Sequence, residues 1–134
     1  MFSPRPLAEA VWASAQIALE DLPELAAMGV RRVVNNRPDG EDAGQPSSAE
    51  MEAAVRAAGL DYVHAPVSGI PGPDAVRAAA EALEADEPVL MYCRSGTRST
   101  IAWALAMRAL GRAEADEIRA AAANAGYDLT RLPL

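Results

Sequence analysis

Lysine is missing from this chain. All 12 basic side chains are arginine, and they face 19 acidic ones. The resulting formal charge of −7 excludes a sequence-independent nucleic-acid binder, which needs cations to displace the counterions of phosphate. With so much alanine beside it, the lysine deficit reads as the coding bias of a GC-rich bacterial genome. Cysteine and histidine each occur once, as Cys93 and His64. A lone cysteine forms no disulfide within the chain and has no resolving partner for a dithiol redox cycle. One histidine and one cysteine are too few for an ordinary metal site, so neither metal nor cofactor is expected. No apolar run reaches the roughly 20 residues that span a bilayer, and the N-terminus lacks a signal-peptide pattern. A cytoplasmic protein without a membrane partner is the expectation. What is present is apolar content: 51% of 134 residues, enough for a core and the length of one domain, expected to run 1–134.

The hydrophobic pattern alternates between strand and helix. Residues 1–7 are proline-rich and read as an extended lead-in. Val11–Ile17 alternates apolar and small residues, as a first, edge strand would. Asp21 and Glu24 form a candidate capping box for a short helix that Gly29 ends. Val30–Asn35 reads as a buried strand, and 36–47 is a segment of turn formers. Ser47 with Glu50 makes a second capping box, before a helix that stops at Gly59. A third strand is expected over Leu60–Val67, a Gly/Pro turn over 68–73, and a helix from about Asp74 to Asp86. Val89–Tyr92 is the most apolar strand. Ile101–Leu110 predicts a buried helix, and 114–125 a last one. This order argues for an α/β fold in three layers, a mostly parallel central sheet flanked by helices. In such sheets ligands collect beyond the carboxyl ends of the strands, where loops 36–47, 68–73 and 93–98 should face one another.

The chemistry concentrates in Cys93-Arg94-Ser95-Gly96-Thr97-Arg98-Ser99. Strand, tight loop and helix aim unpartnered backbone N–H groups at an anion. Gly96 permits the positive φ that an inward-folded loop needs. Arg98 offers a guanidinium that grips two oxygens at once. In such a cradle a thiol should titrate below its usual value of about 8.5, which makes Cys93 a candidate nucleophile. Ser99 is a candidate hydrogen-bond donor to its thiolate. Arg94, Ser95, Gly96 and Thr97 are expected to line the anion site, with Asn36 and Arg37 near its rim. For each there is a plainer reading: buried cysteine as core, arginines as surface ion pairs, asparagines as turn residues. His64, mid-strand, reads as a sheet-face residue, and Trp12 and Trp103 as core.

Cys, four residues, Arg is one residue shorter than the loop of tyrosine and dual-specificity phosphatases and resembles that of rhodanese-type sulfurtransferases. Together with Val33-Val34-Asn35-Asn36-Arg37-Pro38-Asp39-Gly40-Glu41 and Gln45-Pro46-Ser47-Ser48, the loop resembles the phosphatase-like domain family of beta-lactamase-hydrolase-like proteins, over roughly residues 5–125. That resemblance implies a cysteine phosphatase-like fold. It also implies an association with persulfide-metabolising enzymes, so that a persulfide-dioxygenase-type partner is an expectation.

Two reactions fit a thiolate beneath an anion site. A phosphatase must protonate its leaving group, usually from an aspartic acid on a neighbouring loop. The matching loop, Val67–Pro73, has no carboxylate; Asp39 and Glu41 lie on another loop and could substitute, but nothing singles them out, and Tyr92 stands where phosphatases usually have histidine. Sulfur transfer needs no such acid, because sulfite and thiolates leave as stable anions. On these residues alone the favoured expectation is a sulfurtransferase. A small anionic donor such as thiosulfate would leave a persulfide on Cys93, and a thiol acceptor would collect it. Phosphoester hydrolysis and a non-catalytic anion-binding module are the alternatives.

Overall fold

Short runs of apolar and β-branched residues make the strands of the computed structural model, which describes residues 2–134. They are β1 (Arg5–Ala8), β2 (Val11–Ser14), β3 (Arg32–Asn35), β4 (Asp61–His64) and β5 (Val89–Tyr92), in the spatial order β1-β2-β5-β3-β4. β5 lies at the centre, parallel to both β2 and β3, and β4 is parallel to β3. Only β1 runs antiparallel, against β2. The lead-in expected over 1–7 is thus partly a strand, and β2 is an inner strand ending at Ser14 rather than an edge reaching Ile17. Pro6 hid β1 from the sequence; proline is tolerated there because an edge strand has a free side. Residue 1 of that lead-in lies outside the described residues.

Helices cover both faces: α1 (Leu22–Ala27), α2 (Ser48–Ala57), α3 (Pro73–Glu84), α4 (Thr97–Ala109) and α5 (Ala115–Asn124). Alternation along the strands sorts the core into two layers. Val33, Leu90 and Tyr92 pack with Leu25, Met51 and Val55 of α1 and α2. Their neighbours Val34 and Met91 point the other way, against Ala79, Ala102, Trp103 and Ile118 of α3, α4 and α5. Sequence patterning therefore specifies the three layers directly: each strand residue shifted by one place would face the wrong helices.

The Ser47–Glu50 capping box is formed, with both reciprocal bonds at 3.1 Å. The Asp21–Glu24 box is not; Asp21 instead turns back to accept from the Ala18 N–H at 2.8 Å, above a single 3-10 turn at Leu19–Asp21. α3 begins without a side-chain cap. Gly72 is its N-cap, and Asp74 pairs with Arg77 in solvent. Among the described residues, no helix is long and apolar enough to cross a membrane.

Candidate active site

At the carboxyl end of β5 the chain leaves the centre of the sheet and enters the cysteine loop. Cys93 is fully buried, and its N–H donates to the Ser14 carbonyl at 3.3 Å, which extends the β2–β5 pairing into the loop. The chain then turns through Gly96, whose φ of 97° is left-handed. That turn aims the Gly96 N–H back at the Cys93 Sγ, 3.1 Å away. Gly96 is the N-cap of α4, so the helix starts at Thr97, earlier than its apolar run at Ile101 suggested. Arg98 and Ser99 consequently sit in the first helical turn. Thr100 is tolerated there because its hydroxyl bonds back to the Gly96 carbonyl at 2.8 Å.

Arg98 reaches across the carboxyl ends of the strands. Its Nη1 donates to the Val67 carbonyl at 2.6 Å and to Glu41 Oε2 at 2.7 Å, and its Nη2 to Glu41 Oε1 at 2.8 Å. The 36–47 loop, the residue just before the 68–73 turn and the cysteine loop thereby meet at one guanidinium. Arginine has five N–H donors. The bonds just named use both on Nη1 and one on Nη2, which leaves the Nε–H and the second Nη2 N–H, with Cys93 within hydrogen-bonding reach of the guanidinium. Arg98 is pushed above its ordinary value, first by the bond to Glu41; burial opposes this, and the charge of Cys93 adds to it. Glu41 in turn is held down to about 2, chiefly by the Arg98 hydrogen bond, against burial and with Arg37 helping.

The structure gives several sequence candidates other tasks. Arg37 is buried and points inward, with Nε on Glu41 at 2.9 Å, Nη1 on Gln16 at 3.0 Å and Nη2 on Asp42 at 3.0 Å. It fastens the 36–47 loop, and with Gln16, Asp42 and Gln45 it lines a pocket beside that loop. Asn36, also buried, donates to the Ala65 carbonyl at 2.9 Å and accepts from the Ser99 hydroxyl at 2.8 Å. The Ser99 proton is thus directed to Asn36, not to Cys93. Arg94 is exposed, its guanidinium 3.9 Å from Asp42. Ser95 accepts from the Thr97 N–H at 3.4 Å and donates to the Thr97 hydroxyl at 3.2 Å. His64 Nε2 donates to the Arg37 carbonyl at 2.9 Å, a sheet-end tie. Asp39 accepts from the Ser48 N–H at 2.7 Å and so serves α2. Among the described residues no group of histidine, cysteine and carboxylate side chains could hold a metal ion.

Two residues near the loop were not singled out for these roles from sequence. Glu41 entered only as a substitute acid, whereas its geometry makes it the holder of Arg98. Tyr127 packs its ring on Gly96 and donates to the Ser95 carbonyl at 3.3 Å. Nothing in a polar C-terminal stretch marks that tyrosine; only the fold brings it to the loop.

A family model, the phosphatase-like domain of beta-lactamase hydrolase-like protein, matches residues 4–113. The beta-lactamase hydrolase-like protein of Agrobacterium fabrum is 37% identical over 116 residues, which are 85% of this chain and 27% of that protein. This chain therefore spans about a quarter of that relative's length. A crystal structure from Neisseria meningitidis, named a candidate phosphatase, is 32% identical, covers 94% of this chain and 90% of its own, and superposes with a TM-score of 0.80. Kinase associated phosphatase, solved with its catalytic-site cysteine replaced by serine, shares the fold at a TM-score of 0.69. It is 15% identical, over 94% of this chain and 83% of its own. The fold is that of the cysteine phosphatases.

Proposed function

The chain belongs to the phosphatase-like domain family of beta-lactamase hydrolase-like proteins, and on that premise we propose that it hydrolyses phosphomonoesters through a phosphocysteine at Cys93. This reverses the order expected from the residues alone, which put sulfur transfer first. The family model is a phosphatase-like domain and the structural neighbours named above are phosphatases, which supports phosphoester hydrolysis over sulfur transfer.

One observation carries the reading. Glu41 and Val67 hold the far end of the Arg98 guanidinium, so its Nε edge is preset for an oxyanion beside Cys93. Two phosphoryl oxygens fit that edge, and the third meets the backbone N–H groups at the start of α4. The thiolate Sγ attacks phosphorus, the P–O bond to the leaving group breaks, and that oxygen takes the electron pair. Water then attacks phosphorus and breaks the S–P bond. Phosphate and a proton are released, and the thiolate returns. Fixed donors aimed at the developing charge lower both barriers.

The same geometry sets the leaving group. Glu41 is ionised and committed to Arg98, Asp39 is committed to α2, and the 65–72 segment has no carboxylate. A positioned acid contributes about 10²–10⁴-fold. Without one, esters of acidic alcohols such as phenols are favoured over alkyl esters by about that factor. Comparing kcat/KM on p-nitrophenyl phosphate and on glycerol phosphate tests this. The expected result is a preference of about 100-fold or more for the aryl ester, with all activity lost in Cys93→Ser. Aryl phosphate left intact by the wild-type chain, or still cleaved by Cys93→Ser, would end the proposal.

The missing acid also favours a second reading, sulfane transfer from thiosulfate, whose leaving sulfite needs no proton. Mass spectrometry separates the two, since one predicts a phosphorylated Cys93 and the other a persulfide.

A further inference from the structure

Behind the tip of the cysteine loop lies a cavity of about 400 Å³, lined among others by Arg5, Ser14, Gln16, Ser95, Thr97 and Tyr127. Its size is within the usual range for small-ligand pockets, roughly 300–1,000 Å³. In a chain with 19 acidic side chains, no carboxylate lines it. Its cation is Arg5, on the edge strand β1, and among the described residues no carboxylate pairs with that guanidinium. Of its hydroxyls, Ser14, Ser95 and Tyr127 donate to the Ala15 carbonyl, the Thr97 hydroxyl and the Ser95 carbonyl, which leaves the Thr97 hydroxyl as the neutral donor beside Arg5. Tyr127 links this cavity to the site already described. Its hydroxyl is pushed above the ordinary tyrosine value by burial and by the charge of Cys93, and pulled back by Arg5, so both charges lie within its electrostatic reach.

We propose that this cavity is a second anion subsite, which takes a carboxylate or phosphate carried on the leaving group of the phosphoester. The identity of the molecule rests on the phosphatase reading; the existence of the subsite does not. A forked guanidinium beside a hydroxyl donor, here Arg5 and Thr97, recognises a multi-oxygen anion. Carboxylates on the walls would repel it, and there are none. The chain's net charge of −7 works against anions elsewhere on the surface, which leaves this cavity distinctive. The substrate class is then a phosphomonoester with a second negative group, held at one end by Arg98 and at the other by Arg5.

Two measurements decide this separately. The first reads binding alone, in the Arg98→Ala chain with ¹³C-labelled tyrosine. Inorganic phosphate should shift the Tyr127 ring signal saturably, the signal being assigned by its loss in Tyr127→Phe. Adding Arg5→Gln should weaken that response about tenfold, the worth of one charge-assisted hydrogen bond. No saturable shift, or one indifferent to Arg5, overturns the subsite. The second reads substrate choice, with ortho-, meta- and para-carboxyphenyl phosphate set against p-nitrophenyl phosphate. Arg5→Gln should raise KM about tenfold for at least one carboxylate-bearing ester and leave the nitrophenyl ester unchanged. Phosphate binding with equal KM changes for all esters overturns the assignment to substrate. If no ester is hydrolysed, the phosphatase reading fails, and the phosphate titration still decides the cavity.

Discussion

Glu41 holds both terminal nitrogens of Arg98 across 57 residues of chain, at 2.7 and 2.8 Å. A carboxylate with both oxygens engaged this way is a poor proton donor and a good positioning device. Its second contact, to Arg37 at 2.9 Å, fixes the carboxylate itself, and the buried Arg37 is anchored in turn by Gln16 and Asp42. The Arg98 guanidinium thus stands on a chain of ion pairs, through Glu41 and Arg37, that ends at Asp42 in the 36–47 loop and at Gln16, just beyond β2.

Glu41→Gln keeps one acceptor but loses the charge and the two-oxygen grip. Arg98 is then free to swing away from Cys93, and a misplacement of about 1 Å costs on the order of 100-fold. We expect kcat/KM on p-nitrophenyl phosphate to fall by about 10–100-fold, with the shape of the pH–rate profile unchanged. If Glu41 were instead the proton donor, the substitution would remove the basic limb of that profile.

The same pair makes a statement about stability. Glu41 is lowered from 4.5 to about 2 in the folded chain, so the folded state favours its charged form. Stability from this group is fully present above about 4.5 and is lost as pH falls through about 2. Wild type should therefore exceed Glu41→Gln in urea midpoint at neutral pH, and the gap should close as pH approaches 2. A gap that widens on acidification would contradict the assignment of charge.

Much of the fold was legible because its signals are local. Short apolar runs bounded by turn residues named β3, β4 and β5, and the Ser47–Glu50 pair named the start of α2. β1 was hidden by Pro6, and the true start of α4 by the polar run Thr97–Thr100, whose helical state depends on the Gly96 cap and the Thr100 back-bond. In the site, Cys93 and Arg98 stood out because loop spacing is local too. The tasks of Asn36, Arg37 and Ser99 did not, because their partners lie up to 63 residues away. Residue type places such side chains near the loop; only tertiary hydrogen bonds say whether they face the cleft or the core.

Gly96 carries two separate demands. Its φ of 97° disfavours any side chain, and an added methyl would collide with the Tyr127 hydroxyl. Gly96→Ala should therefore lose about 1–2 kcal/mol to backbone strain alone, plus the collision, and should misdirect the N–H that faces Cys93. Combining it with Tyr127→Ala removes the collision but not the strain. The double variant should recover part of the thermal stability and little of the activity. Full recovery of both would mean that the left-handed turn is not required.

Ser99 and Asn36 make the sharpest contrast with expectation. Both are fully buried, and the Ser99 hydroxyl donates to Asn36 Oδ1 at 2.8 Å. Asn36 uses its other end on the Ala65 carbonyl, so the pair ties α4 to the segment after β4. Ser99→Ala leaves a buried acceptor without a donor, which costs about 1–3 kcal/mol. The loss should appear in urea unfolding. Removing Asn36 as well should add less than its own single cost, because the bond is already gone; a double-mutant cycle should return a coupling of about 1 kcal/mol. If Ser99 served the Cys93 thiolate instead, Ser99→Ala would lower kcat at unchanged stability, and the cycle with Asn36→Ala would show no coupling.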